Sequence, residues 1–172
     1  EYARAYTDFD PVLANQLLDE MGLTERDGDG IRLRPNVVHV IPPNTQLLLE
    51  RGHLRLEQAA ETSHLRRPID SCLQSVALTL QQRAIGVLLS GTGTDGTAGL
   101  RVIREQGGMT LVQDPDTAEH SGMSESAIDA GVVDLVVPIA DMAQHVTEFV
   151  CRVPKAGAAR LENCDPDGLQ AV

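Results

Sequence analysis

Between residues 70 and 151 the apolar residues keep switching period, and that alternation constrains the fold more than any other feature. Leu73, Val76, Ala77 and Leu80 recur at i, i+3, i+4 and i+7, the stripe of an amphipathic helix. Ile85-Gly86-Val87-Leu88-Leu89 is then a continuous apolar run, which predicts a strand buried on both faces. Leu100 and Ile103 anchor the next helix, which stops at Gly107-Gly108, and Met109–Gln113 is a second buried strand. Residues 123–130 read as a short helix closed by Gly131, and residues 132–137 as a third strand interrupted by Asp134. Ile139, Met142, Val146, Phe149 and Val150 stripe a last helix. Strands alternating with helices in this way predict an α/β fold. Its sheet should be doubly wound (Rossmann-like) and mostly parallel, with helices on both faces.

Upstream the pattern is different. Asp10-Pro11 reads as a helix start, with Leu13, Leu17, Leu18 and Met21 as its apolar face and Gly22 as its stop. Residues 24–30 are polar and glycine-rich, hence a loop. Val37-Val38-His39-Val40-Ile41 is a β-branched strand ended by Pro42-Pro43. Residues 46–50 and 53–57 flank Arg51-Gly52 as the arms of a β-hairpin, with Leu54 and Leu56 alternating against polar neighbours. Residues 1–153 are expected to be one domain and residues 154–172 a tail or linker. Residue 1 is Glu rather than Met, and the opening reads as the middle of a longer polypeptide.

Composition removes several function classes. Aromatic residues make up only 2% of the chain, so stacking platforms for single-stranded nucleic acid are missing. The formal net charge of −11 repels polyphosphates and anionic membranes, so neither nucleic acid nor a membrane is an expected partner. No stretch of apolar residues is long enough to span a bilayer. Cys72, Cys151 and Cys164 lie far apart, with neither metal-ligand spacing nor a disulfide framework. That pattern suits a reducing cytoplasm, and no metal or cofactor is expected.

The loop Ser90-Gly91-Thr92-Gly93-Thr94-Asp95-Gly96 follows a buried strand and opens a helix, where ligands of parallel sheets bind. Its glycines Gly91, Gly93 and Gly96 permit close approach and positive φ. Asp95 is its one ionisable side chain. It reads either as a helix-capping carboxylate or as the carboxylate that orients a catalytic histidine. The three glycines also fit G-x-G-x-x-G, and Asp114 lies 18 residues past Gly96, the spacing of a ribose-binding acid. A dinucleotide site is therefore a further reading, although the strand and hairpin that precede the motif are unusual for one.

The segment from Gly86 through Leu89-Ser90 and the glycine loop to Gly99-Leu100 resembles the signature of the chemotaxis protein-glutamate methylesterase domain (CheB type). So do Val112-Gln113-Asp114-Pro115, Thr117-Ala118-Glu119, Gly122-Met123 and Ser126-Ala127-Ile128. Val40-Ile41-Pro42-Pro43-Asn44, Arg67-Pro68-Ile69-Asp70 and Gly131-Val132-Val133-Asp134 continue the likeness, which runs from about residue 10 to about residue 150. The resemblance implies a cytoplasmic esterase that hydrolyses glutamyl methyl esters of chemoreceptors by a Ser-His-Asp mechanism. Asp95 falls where that family has its triad carboxylate. Thr92 falls where a backbone N–H helps line the oxyanion hole, with Met123 beside the loop. Implied partners are methylated chemoreceptor helices and a methyltransferase or other signalling domain on the same chain.

The family's serine turn, of the type Gly-Ala-Ser-Ala-Gly-Gly, has no counterpart here, and Arg4-Ala5 stands where its Gln-His pair would fall. Adjacent His120 and Ser121 are poorly placed to serve one carboxylate, and Ser90 reads as a turn hydroxyl. His39 and His53 read as rim residues, and His64 and His145 lack ligand-spaced partners. The expectation is an esterase domain with a visible Asp and its Ser and His elsewhere. The alternative from another class is a catalytically silent signalling module of the same fold.

Overall fold

The computed structural model describes residues 24–25, 30–33, 37–41, 45–58 and 67–152, the side chains of Thr24, Glu25 and Gln58 excepted. The helix expected after Asp10-Pro11, the tail after residue 153, and His64 lie outside the described residues. The chain divides into two compact units, residues 1–63 and 64–172.

In the first unit, β1 (Thr24–Glu25) pairs in parallel with β3 (Val37–Val38). β1 falls in the segment expected to be a loop, and β3 is shorter than the strand expected over residues 37–41. The hairpin of β4 (Thr45–Glu50) and β5 (His53–Gln58) forms as expected. Its two-residue turn has Arg51 at φ +51° and Gly52 at φ +80°, the left-handed pair that matches strand twist. Register sets Leu49 opposite Leu54, and both are buried, while Leu48 opposes exposed Arg55. β2 (Ile31–Arg32) adds antiparallel to β5.

The second unit is the alternation read from the sequence. Its sheet is β6 (Ile85–Leu88), β7 (Met109–Gln113) and β8 (Leu135–Val137), parallel and in that order. The helices are α1 (Pro68–Leu80), α2 (Thr97–Glu105), α3 (Gly122–Asp129) and α4 (Ile139–Arg152). Period-two side chains of β7 feed two cores. Val112 joins Leu88, Ala77, Leu100, Ile103 and Ala127 under α1, α2 and α3. Met109 and Leu111 join Val137 and Met142 under α4. Helices thus cover both faces, which is the doubly wound arrangement expected.

Two expectations need correction. β6 is not buried on both faces: Val87 is 37% and Leu89 47% exposed, because α4 packs on β7 and β8 and leaves this strip open. The third strand begins at Leu135 rather than 132 because Asp134 turns back onto β7. Its Oδ2 accepts the N–H and the hydroxyl of Thr110, each at 2.9 Å. The polar interruption is therefore a bracket between neighbouring strands. The cysteines also differ from expectation, since Cys151 is disulfide-bonded. Pairing depends on Cα approach in space, which sequence separation does not report. Cys72 is a free, half-buried thiol, and burial pushes its pKa up.

Candidate active site

The glycine loop leaves β6 at its carboxyl end and is tied to its neighbours by a zipper of hydrogen bonds. Ser90 N–H donates to Gln113 Oε1 at 2.9 Å, and Gln113 Nε2 donates to Thr117 O at 3.0 Å. Ser90 Oγ accepts His120 N–H at 3.0 Å, so the hydroxyl expected to serve its own turn instead joins the loop to the segment before α3. Gly91 N–H donates to His120 O at 2.9 Å, and Met123 N–H donates to Gly91 O at 3.0 Å. Gln113 is buried to 3% exposure and holds two loops at once. Its role is not evident from local sequence, where the one usable signal is a polar residue closing an apolar strand.

Glycine is required here for two reasons. Gly93 and Gly96 sit at φ +86° and +94°. A Cβ on Gly96 would lie 2.5 Å from Leu88 Cδ2 and 3.0 Å from Ile69 Cγ2. A Cβ on Gly91 would run into the thioether of Met123, which is buried on α3 and packs on the loop from outside it. Thr92 is exposed at the loop's crest.

Asp95 is half-buried, and both of its oxygens are engaged. Oδ1 accepts Asp70 N–H at 2.9 Å and Oδ2 accepts Ile69 N–H at 3.1 Å. These donors are in the first turn of α1, whose N-cap residue Arg67 offers no side-chain cap. Asp95 therefore caps α1 and not α2, the helix its own loop opens. Asp70 returns the favour across the same gap. It is 4% exposed, and its Oδ1 accepts Gly99 N–H of α2 at 2.8 Å. Its Oδ2 lies 3.3 Å from Arg67 Nη1, and Arg67 Nη2 donates to Thr94 Oγ1 at 3.3 Å. Two helix N-termini are thus each served by a carboxylate from the opposite element, as their dipoles favour. Asp70 was given no role from the sequence, because its partners lie 25 and 29 residues away.

This geometry leaves Asp95 chemically competent. A carboxylate offers about four lone-pair positions, and the two backbone donors occupy two of them. Such a group can fix an imidazole tautomer while staying pinned itself. The geometry does not suit a dinucleotide. The first-turn N–H of Gly99 that would face a pyrophosphate is bound to Asp70, and two carboxylates flank the position. Asp114 instead caps the turn that follows it, its Oδ1 accepting Asp116 N–H at 3.0 Å.

The remaining candidates are scattered. His120 and Ser121 precede α3, with the backbone of His120 bound to the glycine loop. His53 is exposed on the hairpin. His145 lines a cleft of about 400 Å³ at the amino ends of β7 and β8, away from the loop. Among the described residues no cluster of three or more His, Cys, Asp or Glu forms. No described helix is long and apolar enough to cross a membrane.

A parallel α/β sheet with a pinned carboxylate at the carboxyl end of β6 places Asp95 where such sheets bind their ligands. Residues 6–146 match the CheB methylesterase family, and the chain belongs to that family. It is 38% identical over 141 residues to a protein-glutamate methylesterase/protein-glutamine glutaminase of Moorella thermoacetica, covering 77% of this chain and 33% of the relative. It is 37% identical over 145 residues to an uncharacterised 104.1 kDa protein of Rhodobacter capsulatus, covering 84% of this chain and 15% of that one. The chain thus spans a third or less of these two relatives. The crystal structure of the Thermotoga maritima CheB methylesterase catalytic domain superimposes with a TM-score of 0.67 at 26% identity, over 82% of this chain and 79% of that one.

Proposed function

We propose that this chain contributes the carboxylate of a protein-glutamate methylesterase acting on glutamyl methyl esters of chemoreceptors. Asp95 orients an imidazole, which takes the proton of a serine hydroxyl as that oxygen attacks the ester carbon. The Thr92 N–H helps hold the tetrahedral oxyanion. The imidazolium then protonates the departing methoxide, and water releases the glutamate. The same acyl chemistry accepts a glutaminyl amide, the second substrate in the names of the curated relatives. In this reading a serine and a histidine complete the triad, and the family's serine turn has no counterpart among residues 1–172. Methylated receptor helices and a further signalling domain are the partners this reading requires.

The observation that carries the reading is the position of Asp95, fixed by two backbone donors in a glycine loop at a strand end, in a chain of this family. The test is methanol release from a peptide bearing a glutamyl γ-methyl ester, catalysed by the product of the complete open reading frame. Asp95→Ala should reduce kcat by about 10³-fold or more, and the 172-residue chain alone should release no methanol above background. Full turnover in Asp95→Ala, or strong turnover by the short chain, would overturn the proposal. A second reading is a catalytically silent module of the same fold. It is favoured by the reciprocal caps, which already give Asp95 a purely architectural duty. An inactive full-length product with intact folding would decide for it.

A further inference from the structure

We propose that Asp70 is a positioning residue of this site, acting through Arg67 and α2 to hold Asp95 in place; the inference rests on the methylesterase reading above. Asp95 sits in a stretch with glycine on either side, Gly93 and Gly96, both at positive φ. Such a loop is intrinsically soft, and a catalytic carboxylate has to be held to within about half an ångström. Beside the bonds that tie Ser90 and Gly91 to the neighbouring loop, one restraint on each flank of Asp95 leads to the side chain of Asp70. On the amino side, Thr94 Oγ1 accepts from Arg67 Nη2 at 3.3 Å, and Arg67 Nη1 lies 3.3 Å from Asp70 Oδ2. On the carboxyl side, Gly99 N–H donates to Asp70 Oδ1 at 2.8 Å. Between them, the N–H of Asp70 itself donates to Asp95 Oδ1 at 2.9 Å.

Asp70 therefore meets the Asp95 loop directly through its backbone N–H and indirectly through Arg67 and through Gly99 of α2, and its own side chain is nearly inaccessible, at 4% exposure. A buried acid that merely capped α2 would need only the Gly99 bond. The second oxygen, directed at a guanidinium that reaches over to Thr94, is the part that helix capping leaves unexplained. Arg67 has half of its side chain exposed, so the restraint can be cut there without opening the core.

The test uses the complete open-reading-frame product and the γ-methyl ester peptide. Asp70→Asn keeps the backbone donor to Asp95 and an acceptor for Gly99 N–H, but places an amide N–H₂ against Arg67. It should lower kcat about tenfold with KM within about twofold, because the ground-state substrate contacts are unchanged. Arg67→Ala should lower kcat in the same direction while melting within about 2 °C of the parent. The double variant should be no slower than Asp70→Asn alone, since both cut one chain of contacts. Should Asp70→Asn fail to fold, Arg67→Ala decides. Unchanged kcat in the folded variants, a change confined to KM, or additive losses in the double variant would overturn the inference. If those results accompany a dead Asp95→Ala, the methylesterase reading stands and only the role of Asp70 falls. If Asp95→Ala itself stays active, the methylesterase reading falls first.

Discussion

The capping duty of Asp95 makes a stability prediction that needs no substrate. Truncation to alanine removes the acceptor of two N–H groups in the first turn of α1, at 2.9 and 3.1 Å. Loss of a side-chain cap costs about 0.5–2 kcal/mol, and a hydrogen bond to a charged partner is worth about 1.5–3 kcal/mol net. The N–H of Ile69, a half-buried residue, can recover some water, whereas Asp70 is buried and its N–H cannot readily do so. The two bonds together therefore come to about 2–4 kcal/mol. For a chain of 172 residues each kilocalorie moves Tm by about 2–4 °C, so Asp95→Ala should melt about 5–15 °C below the parent. Thermal unfolding of the 172-residue chain followed by far-ultraviolet circular dichroism measures it. A shift smaller than about 2 °C would refute the claim that these bonds hold α1. Asp95→Asn should regain at most half of the loss, because its amide donor would oppose one of the two N–H groups.

Gly99→Ala should cost more than about 2 kcal/mol in urea unfolding. Its Cβ would lie 2.6 Å from Leu73 Cβ and 3.2 Å from the Asp70 backbone, so α1 and α2 would have to separate; an unchanged urea midpoint would contradict that packing. Cys72 supplies a pH prediction, since burial raises its folded thiol pKa. Below the ordinary thiol range both states keep the proton and stability is unaffected. As pH rises through that range the unfolded chain ionises first, so the folded state loses ground. Cys72→Ala should remove that part of the alkaline decline, and identical slopes for parent and variant would refute it.

The β-α alternation from residue 68 onward was legible because each element announces itself locally. Leu73, Val76, Ala77 and Leu80 share a helical face, and Met109–Gln113 is buried along its whole length. What escaped was long-range. Asp134 looks like a defect in a strand until Thr110 of the next strand is brought beside it. Val87 and Leu89 look like core until the reach of α4 is known. Of the site, the loop and its glycines were visible, and for Asp95 two roles were readable side by side. Which helix it caps was not readable, because a carboxylate beside a helix start is ordinarily taken as the cap of that helix. Asp70 and Gln113 escaped because the N–H groups of Gly99 and Ser90 that they hold lie 29 and 23 residues away, with no periodicity to connect them.

The crossed caps of α1 and α2 make the two helices mutually dependent. Neither N-terminus has its acceptor until the other helix has docked, so partial opening of one exposes orphan donors on both. The amides of Ile69, Asp70 and Gly99 are thereby enrolled in a single exchange unit, lost and regained together rather than fraying one end at a time. A loop built on flexible glycines consequently borrows its rigidity from the cooperativity of the helices behind it.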